Sequence, residues 1–201
     1  SRDVTLTKFA PDGTVAWERA LPNSSAVNER SGQVAANATL GAIAYTGFVR
    51  VGSEDRAVIS AVKPDGTVIF TTDLGPATRL HSVHGFGTNE GFIVTMEAPG
   101  LFGSRVVQVA RVSSTGARLW KESFAVSQTV QHQLVSAAAS TSGVVLGGFY
   151  LVPEAEGPGI PHPFLVAFDL NGEEVWDDAF IPGVGSVVGI QTYGSTTLAQ
   201  T

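Results

Sequence analysis

The 201-residue chain is long enough for one domain with a substantial core or for an array of small repeats, and 43% hydrophobic against 15% charged residues excludes a disordered chain. A formal charge of −6 with scattered Lys and Arg argues against nucleic acid, and the absence of Cys removes disulfides, thiolate catalysis and cysteine metal sites. The longest apolar runs are strand-sized, so no membrane span is expected.

In chain order, the first expected element is a hairpin, Val4–Phe9 with Val15–Leu21, around Pro11-Asp12-Gly13-Thr14. A strand pair follows at Gly32–Ala36 and Ala42–Phe48, and then a second turn at Pro64-Asp65-Gly66-Thr67. The same alternation recurs with Leu80–Gly85 and Phe92–Glu97 before the turn at Gly116. It recurs again with Leu134–Ala138 and Val144–Tyr150 before the turn at Gly172, and a last pair spans Val187–Gln191 and Thr196–Leu198. Asp-Gly or Asn-Gly between β-rich runs signals a hairpin, because these residues tolerate positive φ in a tight turn. No helix-period segment competes.

The four turn glycines, Gly13, Gly66, Gly116 and Gly172, are spaced by 53, 50 and 56 residues. Four positions after each stand Trp17, Phe70, Trp120 and Trp176, so all three tryptophans share one column. Four positions before stand Phe9, Val62, Val112 and Phe168, and seven before Leu6, Ile59, Val109 and Leu165. Apolar columns an odd number of residues apart lie on opposite faces of a strand, so each strand is covered on both sides. That suits a blade packed between two neighbours better than a sandwich strand with one wet face.

The expected fold is therefore an all-β propeller of four four-stranded repeats in a single domain over residues 1–201. Each blade runs from a small-residue inner strand to a polar outer one. The chain opens with two outer strands and closes with two inner ones. These halves complete a four-bladed ring if the termini meet, with half of a larger propeller, closed by a homodimer or by further blades, as the alternative.

The stretches Phe9-Ala-Pro-Asp-Gly-Thr-Val-Ala-Trp17 and Phe168-Asp-Leu-Asn-Gly-Glu-Glu-Val-Trp176 resemble the PQQ-like propeller repeats of bacteria. Similar repeats occur in quinoprotein dehydrogenases, in the lipoprotein subunit of the outer-membrane assembly machinery and in many exported proteins. The resemblance implies a blade and, by its company, a secreted, periplasmic or cell-surface setting. Quinoprotein enzymes carry eight such blades, a Ca²⁺ site and a vicinal disulfide over the cofactor; this chain has no Cys and fewer repeats.

Candidate ligand-binding residues are few. Arg79, His81 and Gln133, with His132 opening the corresponding strand of the next blade, lie where a channel mouth is expected, and Gln133 aligns with His81 by count. Glu54 and Asp55 form an acidic pair in a loop on the presumed binding face. Phe102 follows Leu101 in another such loop, and His162 lies in the Pro153–Pro163 insertion. The acidic pairs at Glu173-Glu174 and Asp177-Asp178 fall on outermost strands, where solvated charge discourages edge pairing. Asp12, Asp65 and Asn171 are explained by turn chemistry rather than by a calcium loop.

With no nucleophile elbow, phosphate loop or clustered His and carboxylate set, no catalytic residue, metal or cofactor is expected. The expected role is a non-enzymatic binding or scaffolding module that contacts a protein or a glycan through loops on one face. An accessory part of a quinoprotein-like enzyme and a sugar-binding lectin are the alternatives.

Overall fold

The computed structural model describes residues 4–20, 32–86, 91–127, 129–152, 159–179, 189–193 and 196–200. The chain is all-β. A hairpin of β1 (Thr5–Phe9) and β2 (Val15–Ala20) precedes a four-stranded antiparallel sheet of β3 (Val34–Asn37), β4 (Ala42–Val51), β5 (Glu54–Val62) and β6 (Val68–Pro76). The next meander is β7 (Arg79–Phe86), β8 (Gly91–Pro99), β9 (Arg105–Val112) and β10 (Arg118–Phe124). It is followed by β11 (Gln131–Ser140), β12 (Gly143–Val152), β13 (Ile160–Asp169) and β14 (Glu174–Ala179). A second hairpin, β15 (Gly189–Tyr193) with β16 (Thr196–Gln200), comes last. A single parallel pairing, Gln131 opposite Arg105, fuses the second and third meanders into one sheet. None of the sheets closes on itself.

The four turns share one geometry. The residue three before each glycine accepts from the glycine N–H and donates to the carbonyl of Thr14, Thr67, Ala117 or Glu173. Only the glycine adopts positive φ, between 84° and 91°. This is a three-residue loop ending in a left-handed residue, rather than a two-residue turn with both central residues at positive φ. The Asp keeps ordinary φ because its carboxylate is used elsewhere: Asp12 Oδ1 accepts from the Thr14 N–H at 3.0 Å, and Asp65 Oδ1 from that of Thr67 at 2.8 Å. In the fourth turn Asp169, not Asn171, takes this role, accepting from the N–H groups of Asn171 and Glu173.

The cores lie between sheets. Ile59, Leu74 and Phe70 of the first sheet meet Leu80, Phe92, Met96 and Val112 of the second. Ile93, Val107, Val109 and Phe124 meet Leu134, Leu146, Phe164 and Val166 across the next boundary. Strand β8 is covered on both faces, so eight of its nine residues are buried and it reads as a near-continuous apolar run. The outermost strands β2, β10 and β14 are mostly exposed and carry the charge.

A repeated latch joins each sheet to the next. The Trp17 ring lies over Gly66, Phe70 over Gly116 and Trp120 over Gly172, so close that an added Cβ would stand 3.0, 2.6 and 2.9 Å from the ring or its stem. Trp17 Nε1 donates to the Pro64 carbonyl at 2.9 Å and Trp120 Nε1 to the Leu170 carbonyl at 2.8 Å. Lys8 and Arg111, five residues before their own turn glycines, donate to those same two carbonyls. The aromatic column of the sequence is thus the seam between successive repeats.

Two expectations need correction. Glu54 and Asp55 belong to strand β5, since Val51 pairs with Glu54 across a turn of only Gly52 and Ser53. His132 is the second residue of β11. Ile160–Pro163 is strand, so the insertion is shorter than expected. Pro161 and Pro163 fit there because β14 pairs with β13 only from Phe164 onward, leaving that side of β13 without a ladder that needs their missing N–H groups. The loop at 22–30 and the insertion residues 153–158 lie outside the described residues.

Candidate functional site

The densest polar cluster surrounds Glu97. By strand register its equivalents in the flanking sheets are Phe48 and Phe149, so one carboxylate occupies an apolar column. The Glu97 side chain is 0% exposed. Oε1 accepts from His81 Nε2 at 2.9 Å and from the Leu134 N–H of the next sheet at 3.0 Å, and Oε2 accepts from Arg105 Nη1 at 3.1 Å. A buried carboxylate survives only when such partners replace its water. Burial pushes the carboxyl upward, but the His81 bond, the Leu134 N–H and the Arg105 charge outweigh it and hold the group below the ordinary Glu range.

The strands explain who reaches it. A bulge between Leu80 and Ser82 releases His81 from the β7–β8 ladder, and its side chain reaches the acid, which the register sets two residues along, opposite Arg79. Arg105 opens β9 beside β11; its Nε donates to Gln131 Oε1 at 3.1 Å, and Gln131 Nε2 donates to the Gly103 carbonyl at 2.9 Å. This chain of bonds spans the boundary between the second and third meanders where they fuse.

His132 sits next to it, fully buried. Its Nε2 accepts from the Val126 N–H at 3.0 Å, while Nδ1 faces the carbonyls of Arg105 and Val130 at 3.0 and 3.1 Å. This pattern assigns the neutral ring with its proton on Nδ1. Desolvation holds its pKa below the ordinary value, more than offsetting the two carbonyls. The ring leans on Tyr150, with Phe124 and Phe164 at its edges, and Tyr150 stacks on the largely buried His162 at 5.1 Å.

The structure thus gathers His81 and His132 about one carboxylate–guanidinium pair. Arg79 is exposed and stands opposite Glu97 in the ladder, and Gln133 is half-buried opposite Phe149. The bulges correct the expected alignment: Gln133 matches Arg79, and Val135 matches His81. Glu54 and Asp55 lie on the first sheet in surface ion pairs with Arg56 and Arg50. Phe102 is at the apex of the β8–β9 loop and 91% exposed, with φ of 54°, where a non-glycine residue is strained. Its neighbour Leu101 is exposed too. The register places Val152 and Ile160, both exposed, at the same end of the sheet, and Val126 is tied there by its bond to His132.

Counting from the glycines missed Glu97, Arg105 and Gln131. The signal for Glu97 was present, since it is the one acid in the run Gly91–Pro99. Among the described residues, no group of three or more His, Asp and Glu has metal-holding geometry, and no helix is long and apolar enough to cross a membrane. Neither a protein-family profile nor a curated protein matches the chain.

Proposed function

We propose that the chain is a binding or scaffolding module whose sheets are the blades of a β-propeller with PQQ-like repeats. On this reading the loops at one end contact a protein or a glycan, and the chain carries out no turnover of its own. The observation that carries it is the Leu101-Phe102 apex. A bulky aromatic is held out in water on a strained backbone, at the same end of the sheet as exposed Val126, Val152 and Ile160. Strain and exposed apolar surface persist together where a partner repays them, and an aromatic anchor ringed by smaller contacts is the usual form of a binding hot spot. The Glu97 cluster beneath supports that end, because its acid, base and guanidinium are spent on one another. A secreted, periplasmic or cell-surface location accompanies this reading.

The test is a binding survey of the purified chain against arrayed glycans and immobilised proteins, repeated with Phe102→Ser and Leu101→Ser. The expected result is saturable binding to one class, weakened at least tenfold by either variant while the melting temperature stays unchanged. Binding indifferent to both variants, or PQQ-dependent dye reduction by the purified chain, overturns the reading.

A further inference from the structure

Every latch in the array has two halves: an aromatic residue four positions after one turn glycine, and the turn of the following repeat. Three latches are closed. Two halves stand open. Trp176, whose equivalents Trp17, Phe70 and Trp120 are half-buried or buried, is 44% exposed. The turn at Gly13 has much the same φ as the others, 84°, yet an added Cβ there would find nothing within 4 Å among the described residues. Beside Trp176 runs a groove of about 260 Å³ lined by Ser140, Ser142, Val144, Phe168 and Val175. The open turn carries an uncovered apolar residue of its own. Phe9 is 62% exposed, whereas Val62, Val112 and Phe168 at the same place in the other repeats are buried. Phe9 belongs to β1, which among the described residues pairs with β2 alone, without the inner strand pair that the other sheets carry on that side.

We infer that the Trp176 groove is a docking surface for the Gly13 turn of a second copy of this chain. The β1–β2 hairpin of that copy completes a four-stranded sheet with β15–β16 of the first. The occupant follows from continuity: the same contact recurs three times inside the chain, always between an aromatic and a glycine turn, and these two open halves match it. The second copy is favoured over the chain's own hairpin because, with that hairpin latched to the first sheet through Trp17 and Gly66, no atom of Trp176 comes within 4 Å of where a Gly13 Cβ would stand, so the chain's own turn leaves the ring uncovered. The contact is heterologous, so a second identical joint closes two copies into one ring. The inference rests on the propeller reading above, though not on the Leu101-Phe102 contact.

Light scattering and cross-linking test it together. The chain lacks Cys, so Thr14→Cys/Val175→Cys carries two thiols only. Oxidation at micromolar concentration is expected to give interchain disulfides, and the unmodified chain a dimer of twice the monomer mass. Trp176→Lys is expected to return it to a monomer. Mixing Trp176→Lys with Gly13→Val, each monomeric alone, is expected to restore a heterodimer through the one intact joint, which also shows that both variants fold. Phe102→Ser leaves the dimer intact, so loss of ligand binding and loss of assembly are read separately. A monomer with an intrachain disulfide, a monomer with none, or a dimer indifferent to Trp176→Lys each overturns the inference.

Discussion

The boundary between the first and second sheets and the boundary between the second and third are built on one plan and held by different chemistry. Each has an apolar core and an aromatic–glycine latch. At the first boundary the polar supplement goes to backbone carbonyls: Asn37 Nδ2 donates to that of Gly91 at 3.1 Å, Thr72 Oγ1 to that of Gly116 at 2.6 Å, and Lys121 Nζ to that of Leu74 at 3.1 Å. At the second it is ionic, with Glu97 drawing in His81, Arg105 and the Leu134 N–H. Apolar burial scales with area and tolerates many neighbours, whereas a buried carboxylate accepts only a neighbour that brings the right donors. The second boundary is therefore the more demanding of the two.

The largest effect that breaks this comparison is loss of a latch aromatic. Trp120→Ala is expected to cost about 3–5 kcal/mol in a chemical melt. Trp176→Ala, measured where the chain is monomeric, should cost far less; equal losses contradict the open latch. Glu97→Leu should destabilise by about 3 kcal/mol, since it removes the acceptor for three donors and leaves Arg105 and the Leu134 N–H without it. Hydrogen exchange should quicken across β9 and β11 and stay unchanged between β3 and β7; uniform acceleration shows that the ionic cluster is not local to its boundary.

Smaller differences sharpen the comparison. Gly13→Ala suffers left-handed strain alone, about 1 kcal/mol. Gly116→Ala suffers the same strain plus overlap with Phe70, adding about 1–3 kcal/mol. Similar melting of the two variants removes the steric part of the latch. The smallest effect is in pH. Burial lowers the His132 pKa, so below about pH 6.5 the unfolded chain binds a proton that the folded ring resists, and stability falls with acidification. The depressed Glu97 carboxyl adds a second loss below about pH 4.3, as pH falls toward its native value. His132→Phe should shrink the first step, to which the buried His84 contributes in the same sense, and leave the second; a melt flat between pH 7 and 4 contradicts both.

Much of the fold was legible because glycine turns and aromatic residues recur at fixed offsets, and the periodicity of strands places such columns without reference to partners. The Glu97 cluster was not legible in the same way. His81 reaches it through a bulge, and the register set by that bulge and its equivalent at Val135 places Gln133 opposite the position of Arg79, two residues from the match with His81 that a plain count gives. The sequence names Glu97 as an acid in an apolar strand, but its donors come from other strands, from Leu134 in the next meander and from Arg105 at the start of β9. The exposure of Phe102 followed from its Gly-flanked loop, while its left-handed backbone is visible only in the fold.

The column Phe48, Glu97, Phe149 has a consequence for how the chain finds its native order. Four similar repeats invite a whole-sheet slip, in which the first meander docks where the second belongs and most apolar contacts are still made. A phenylalanine in place of Glu97 leaves Leu134 N–H and Arg105 without their acceptor, so that misdocked arrangement carries a penalty the correct one escapes. One residue thereby gives an otherwise interchangeable set of sheets an address, and swapping the coding segments of the first and second meanders should yield a chain that collapses but does not settle.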